Sequence, residues 1–291
     1  MTGAGQTSGG NASAGSVTSA GSSVGGTTSA GGIAGSAAIA GGGSGGTPGA
    51  SGSSNAGGGS GGASGGTGGA ASGCMGVTSK FCDDFEAQTT GMPPKGDFSV
   101  SAKTGAAMVV DTSKAYSGTK ALHITSPKPG AQAFLNFTKQ FPMNDFHGRA
   151  MFYLAAIPKA EIHWDLIDST SSNGVHWEIG GMYGKFILVV DPPDHGLTSN
   201  TFPIGRWFCL QWEFKYGGQG VDNSFLAKMD GAALDKGQFT GADSDGKKWD
   251  GGPWKNLSIG WTGYGSSDID LDEWIDDLAL GDAPIACPAT H

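Results

Sequence analysis

The sequence predicts an all-β domain, a jelly-roll β-sandwich, preceded by a disordered Gly/Ser-rich tether. Three observations carry this reading. Residues 1–73 contain no Lys, Arg, His, Asp or Glu and no aromatic ring, whereas residues 74–291 hold every charge and all of the Trp, Phe and Tyr. Short alternating runs recur through the second part at intervals of roughly eight to twelve residues or more, bounded by turn residues. No run keeps a helical period over three turns.

The tether, residues 1–73, is almost entirely Gly, Ser, Ala and Thr, with one proline at Pro48. It has no large side chains whose burial would offset the entropy of ordering. It is expected to behave as a flexible coil spanning roughly 45 Å end to end. Gly-Gly pairs recur without a fixed period, which excludes collagen and solenoid repeats.

The domain, residues 74–291, has a length that suits one sandwich. In chain order, Ala107 to Asp111 and Lys120 to Ile124 read as strands, with Tyr116-Ser117-Gly118-Thr119 turning between them. Ala133 to Phe137 follows a Pro/Gly break. Arg149 to Ala155, Glu161 to Asp168, Val175 to Gly181 and Lys185 to Asp191 form the middle run. Phe208 to Lys215 alternates cleanly. Phe225 to Met229 ends at Asp230-Gly231, a hairpin signal. Leu257 to Thr262 and Trp274 to Leu280 close the domain.

The net charge of −9, without any basic cluster, argues against nucleic acid and anionic membrane as partners. No stretch is long enough and apolar enough to span a membrane, so no membrane insertion is expected, and the domain reads as a monomer. The four cysteines, Cys74, Cys82, Cys209 and Cys287, suggest two disulfides and an oxidising compartment. Four buried thiols are the alternative. The first residues lack a basic region and an apolar stretch, so a secreted or cell-surface location is expected with the export signal outside the given chain.

Two constellations offer chemistry. Pairing of the first and last strands would bring Glu86 and Asp276 beside the Ser117-Gly118 turn. Two carboxylates with hydroxyl and carbonyl oxygens suit Ca²⁺; solvated strand-end acids are the alternative. On the middle strands, His163 and Asp165 share one face by alternation, as do His176 and Glu178, while Trp164, Trp177 and Ile179 take the other. Such a patch suits a glycan groove, against the alternative of an ordinary solvated sheet face. Zinc is permitted by the residue types, although no His-x-x-x-His or Cys spacing supports it. The acidic runs Asp243-Ser244-Asp245-Gly246 and Asp268 to Glu273 read as solvated loops. No Gly-x-Ser-x-Gly elbow, phosphate loop or dinucleotide fingerprint is present.

From about residue 81 to residue 288 the ordered set Asp83-Asp84-Phe85-Glu86, Val110-Asp111-Thr112, Ser117-Gly118, His163 and His176-Trp177-Glu178-Ile179-Gly180-Gly181 resembles the cellulose-induced-protein family. Trp207-Phe208-Cys209, Gly260-Trp261, Ile275-Asp276-Asp277 and Ala286-Cys287 complete it. The resemblance implies a concanavalin- or lyase-like jelly roll. It implies calcium at Glu86, Ser117, the main chain near Lys120, and Asp276. It also implies a Cys209–Cys287 bridge, leaving Cys74 to pair with Cys82. The chain departs from the family's groove pattern: Glu178 and Met182 stand where the family has arginine and glutamine, and Val190 falls near its groove tyrosine.

A polyuronate lyase must neutralise a carboxylate and remove the adjacent proton. Glu178 in place of arginine repels a uronate. The expected function is therefore a secreted, calcium-stabilised domain that recognises plant-biomass or cell-wall polysaccharide. The alternatives are a lyase using His163 and His176, a hydrolase using Asp165 and Glu178, or a surface structural domain.

Overall fold

The computed structural model describes Gly73 to Pro288, apart from residues 75–76, 128–130, 138–144, 159–160, 173, 192–193, 217–223, 241–253 and 265–268. The expected tether, but for Gly73, and the Asp243 to Gly246 run lie outside the described residues.

The domain is all β. Its strands are β1 (Phe81–Asp83), β2 (Ser99–Lys103), β3 (Ala107–Asp111), β4 (Ala121–Ser126), β5 (Gln132–Phe137), β6 (Asp145–Leu154), β7 (His163–Ser171) and β8 (His176–Met182). They continue with β9 (Lys185–Asp191), β10 (Asp194–Thr201), β11 (Trp207–Lys215), β12 (Ser224–Met229), β13 (Ala232–Thr240), β14 (Trp254–Tyr264) and β15 (Leu271–Gly281). No helix occurs among the described residues.

The strands form two sheets. The first runs β13-β12-β11-β6-β15-β4-β3, with β1 added on β15; the second runs β10-β9-β8-β7-β14-β5-β2. Every strand pairing is antiparallel. The first and last strands pair, as expected, with Cys82 opposite Ala279. Neighbouring sheet positions thus come from distant sequence, which makes this the jelly-roll sandwich that the sequence predicts.

Alternation decides which side chains fill the space between the sheets. Trp164, Trp177, Trp254 and Trp261 enter from the second sheet and Phe152, Phe208, Trp212 and Phe214 from the first, all essentially buried. Trp177 meets Phe225 at 4.9 Å between ring centroids, and Trp164 meets Trp261 at 4.9 Å. The Asp230-Gly231 signal is realised as a two-residue hairpin turn: both residues have positive φ, 50° and 82°, and Met229 faces Ala232 across it.

Two bridges are present, Cys74–Cys82 and Cys209–Cys287. The second ties the C-terminal segment to β11. One expectation fails: Asp272 and Glu273 are not in a solvated loop but in β15, and Glu273 is wholly buried. Its neighbours across the strand pairs are Ile124 and Leu154, both core residues, so the pleat carries the carboxyl inward.

Candidate functional site

The site is assembled on the outer face of the second sheet, from β7, β8 and β14. On β7, His163 and Asp165 face outward while Trp164 is in the core. A bulge between Asp165 and Ile167 shifts the phase by one residue, so that Asp168 and Thr170 continue the same face. On β8, Trp177 and Ile179 enter the core and leave His176 and Glu178 outside, opposite Thr170 and Asp168. β14 brings Tyr264 opposite His163.

These groups converge. His163 Nε2 lies 3.0 Å from Asp165 Oδ1 and 3.6 Å from Glu178 Oε2. The Tyr264 hydroxyl donates to Glu178 Oε1 at 3.4 Å, and its ring lies over His163 with 4.9 Å between centroids. On the far side, His176 Nδ1 is 3.7 Å from Asp168 Oδ1 and 3.3 Å from the Thr170 hydroxyl.

The site is less open than an alternating pattern suggests. His176 and Tyr264 are exposed, His163 is partly covered, Glu178 is nearly buried, and Asp165 is fully buried. Gly180, which faces Asp165 across the pair, lets this happen by having no side chain of its own. Burial also sets the proton affinities. Desolvation, then the Asp165 charge, pushes Glu178 up to about 7. Burial and the Asp165 charge raise Asp168 too. Burial disfavours the His163 imidazolium, but Asp165 and Glu178 outweigh it and hold its pKa above the ordinary value. Burial, then the same carboxylates, keeps the Tyr264 phenol protonated. The donor atoms of His163, Asp165 and Glu178 lie within 4.8 Å of one another, as do those of Asp168, His176 and Glu178, so either set is able to hold a metal ion.

The polar face continues past β14. Ser258 on β14 donates to Asn136 Oδ1 on β5 at 2.9 Å, and Asn136 Nδ2 donates to Ser101 Oγ on β2 at 3.1 Å. A row of hydrogen-bonding side chains therefore crosses five neighbouring strands, from His176 on β8 to Ser101 on β2. Met182 lies on β8 beyond Gly180, at its end nearest His163, while Val190 packs into the core, leaving Val189 on the outer side of β9.

The second constellation forms around the Ser117-Gly118 turn. Glu86 Oε1 accepts from Thr119 N at 2.6 Å and Lys120 N at 2.7 Å. Asp276 Oδ2 accepts from Tyr116 N at 2.8 Å and Ser117 N at 3.1 Å. Lys120 Nζ donates to Glu86 O and Gln88 O, a cation already set among carbonyl oxygens. Burial, then the neighbouring Asp277, pushes Asp276 up to about 8. Asp277 takes the Ser117 hydroxyl at 2.7 Å, and buried Arg149 donates to its carbonyl. All four residues named from the sequence thus reach one turn. Lys120 meets Glu86 there through its N–H and its ammonium.

Sequence reasoning missed Asp168 and Tyr264. The bulge hides Asp168, since strict alternation from Asp165 points to Ile167. Tyr264 is 86 residues from Glu178, and only the strand order joins them. It also missed Asp277 and Arg149, which complete the buried charges behind the turn.

No family model and no curated protein matches the chain in sequence. Solved structures do match in fold. The cellulose induced protein Cip1 superposes with a TM-score of 0.58 at 19% identity, covering 72% of this chain and all (100%) of that one. An endo-β-1,4-glucuronan lyase from the fungus Trichoderma reesei gives a TM-score of 0.52 at 11% identity, covering 71% of this chain and 96% of that one. The described domain therefore has the jelly-roll sandwich fold of Cip1 and of this polysaccharide lyase.

Proposed function

We propose that the protein is a secreted, calcium-stabilised domain that recognises polysaccharide of plant biomass or cell walls across the outer face of its second sheet. The observation that carries this is the polar row from His176 and Glu178 through Asp168, Ser258 and Asn136 to Ser101. Five strands at about 4.8 Å spacing give a track about 20 Å long, enough for several sugar rings. Hydroxyl, amide, imidazole and carboxyl groups offer both donors and acceptors to sugar hydroxyls. The exposed Tyr264 ring at the edge adds a face for a sugar to lie on. The two disulfides support export, and the fold shared with a glucuronan lyase supports the polymer class. Calcium at Glu86, Ser117, Lys120 and Asp276 belongs to this proposal. The convergence of three distant segments on one turn supports it.

Affinity electrophoresis against neutral and uronate polysaccharides tests the reading. Retardation by a neutral or weakly charged glycan that weakens in Glu178→Gln is expected; no retardation by any glycan overturns it.

One observation favours a second reading, a lyase. His163, Glu178 and Tyr264 form a compact cluster with shifted proton affinities, the pattern of acid–base sites. With Glu178 at about 7, its carboxyl is partly neutral near pH 7 and repels a uronate less than a full charge does. Release of unsaturated, ultraviolet-absorbing sugars that is lost in His163→Gln would establish the lyase. A hydrolase using Asp165 is disfavoured, because that carboxylate is out of reach of substrate at 0% exposure.

A further inference from the structure

We infer that His163, Asp165 and Glu178 form a binding site for one divalent transition-metal ion of the zinc or manganese class. The site goes beyond glycan recognition and stands whether or not a sugar binds.

Asp165 is the starting point. It is completely buried, and although His163 and the Tyr264 hydroxyl both approach it, neither carboxylate oxygen is met by a donor in good hydrogen-bond geometry, and His163 Nε2 likewise has no well-aligned partner. His163 Nε2 lies 3.0 Å from Asp165 Oδ1, an ion pair when the ring is protonated and a ligand pair when a metal takes the place of the proton. A buried carboxylate without donors is costly unless a cation meets it. Among the described residues no Lys or Arg pairs with it; Glu178, Tyr264, Asp168 and His163 surround it, and without a metal the cation that would offset its charge is a protonated His163.

The separations fit an ion. Ligands held about 2.0–2.2 Å from one metal lie about 2.8–3.6 Å apart in octahedral or tetrahedral geometry. The two separations from His163 Nε2 are 3.0 Å, to Asp165, and 3.6 Å, to Glu178. One imidazole with two carboxylates suits a borderline metal, whereas calcium takes six to eight oxygens. His163 is partly exposed, so water or a sugar hydroxyl has access to the remaining coordination positions. The neighbouring set of Asp168, His176 and Glu178 competes for the same Glu178. It is the poorer site, because His176 is exposed and its Nδ1 already has the Thr170 hydroxyl at 3.3 Å.

The test uses the full chain, stripped with chelator, dialysed, and titrated with Zn²⁺ by calorimetry at neutral pH. Co²⁺ then serves as a visible-absorbing probe of the same site. One Zn²⁺ per chain is expected, with Co²⁺ bands that Zn²⁺ abolishes. His163→Gln, Asp165→Asn and Glu178→Gln each weaken binding by at least about tenfold, while His176→Gln changes it by less than about threefold. Calcium in large excess leaves the Co²⁺ bands in place. His163→Gln alters a partly exposed ring and keeps the test valid if Asp165→Asn fails to fold. Absence of Zn²⁺ binding, or equal losses in His176→Gln and His163→Gln, overturns the assignment. Glycan binding measured on the same stripped protein is a separate outcome, so failure of one reading does not mask the other.

Discussion

Gly180 and Asp165 share one volume: a Cβ on Gly180 would lie 2.6 Å from Asp165 Oδ1 and 1.9 Å from the Trp164 carbonyl oxygen. The burial of the carboxylate thus depends on a missing side chain one strand away. Gly180→Ala forces both strands apart and is expected to cost about 2–3 kcal/mol, the upper range for overpacking. Urea unfolding measures it. A loss below about 0.5 kcal/mol would show that the strands part freely.

Glu273 is the carboxyl most exposed to a pH test. Burial raises its pKa well above the ordinary 4.5, and neither oxygen has a partner. The unfolded chain releases this proton near 4.5 while the folded chain keeps it. Stability from this group is therefore complete below that pH and falls as pH rises toward the folded value, by about 1.4 kcal/mol per unit. Glu273→Gln should remove that slope and be more stable than the parent near neutrality by about 1–3 kcal/mol. Thermal melts of both proteins across the acid-to-neutral range decide it; parallel curves would show that Glu273 ionises freely.

Calcium should raise the melting temperature. At one hundred times its Kd, a ligand specific to the folded state adds about 2.7 kcal/mol. Asp276 also accepts from Tyr116 N, Ser117 N and Asp277 N. Asp276→Ala is therefore expected to destabilise even without calcium, and the informative quantity is the calcium-dependent increment. That increment should vanish in the variant. A parent protein whose melting is indifferent to both chelator and added calcium removes the site.

The two bridges should contribute unequally. They close loops of 78 and 8 residues. Chain-entropy arguments give about 4.5 kcal/mol for the longer and about 2.5 kcal/mol for the shorter. Replacing Cys209 and Cys287 by Ser should thus lower the urea midpoint more than replacing Cys74 and Cys82. The reverse order would show that Cys74–Cys82 constrains more than its own loop.

Much of the fold is legible because burial imposes alternation. β3 and β9 fall on the residues that the pattern marks, Ala107–Asp111 and Lys185–Asp191. The strands it misses, β2, β10 and β13, lie at sheet edges. Ser99–Lys103 is polar and Asp194–Thr201 carries Asp, Gly and Asn, because a strand with one neighbour is under less pressure to alternate. The site divides in the same way. His163 with Asp165, and His176 with Glu178, are spaced two apart and readable as pairs. Asp168 is not, because the bulge before Ile167 changes the phase, and Tyr264 is not, because its place depends on β14 lying beside β7. Nor does alternation reveal depth: it assigns Asp165 to the outer face without showing that the face closes over it.

The entry of the chain into the first sheet has a mechanical consequence. A pull applied through the residues before Gly73 meets Arg149, whose guanidinium holds the Gly73 carbonyl at 3.0 Å, and then the Cys74–Cys82 bond. Because that bond is covalent, tension bypasses the segment between the two cysteines and enters β1 at its centre. There it is shared with the pairs Cys82↔Ala279 and Asp83↔Leu278 on the long final strand. β15 in turn is clamped between β4 and β6 and shares their sheet with β11, which Cys209–Cys287 fastens to the chain's end. Such a pull is thereby spread over the sheet that does not carry the polar row, and the outer face of the second sheet is shielded from load.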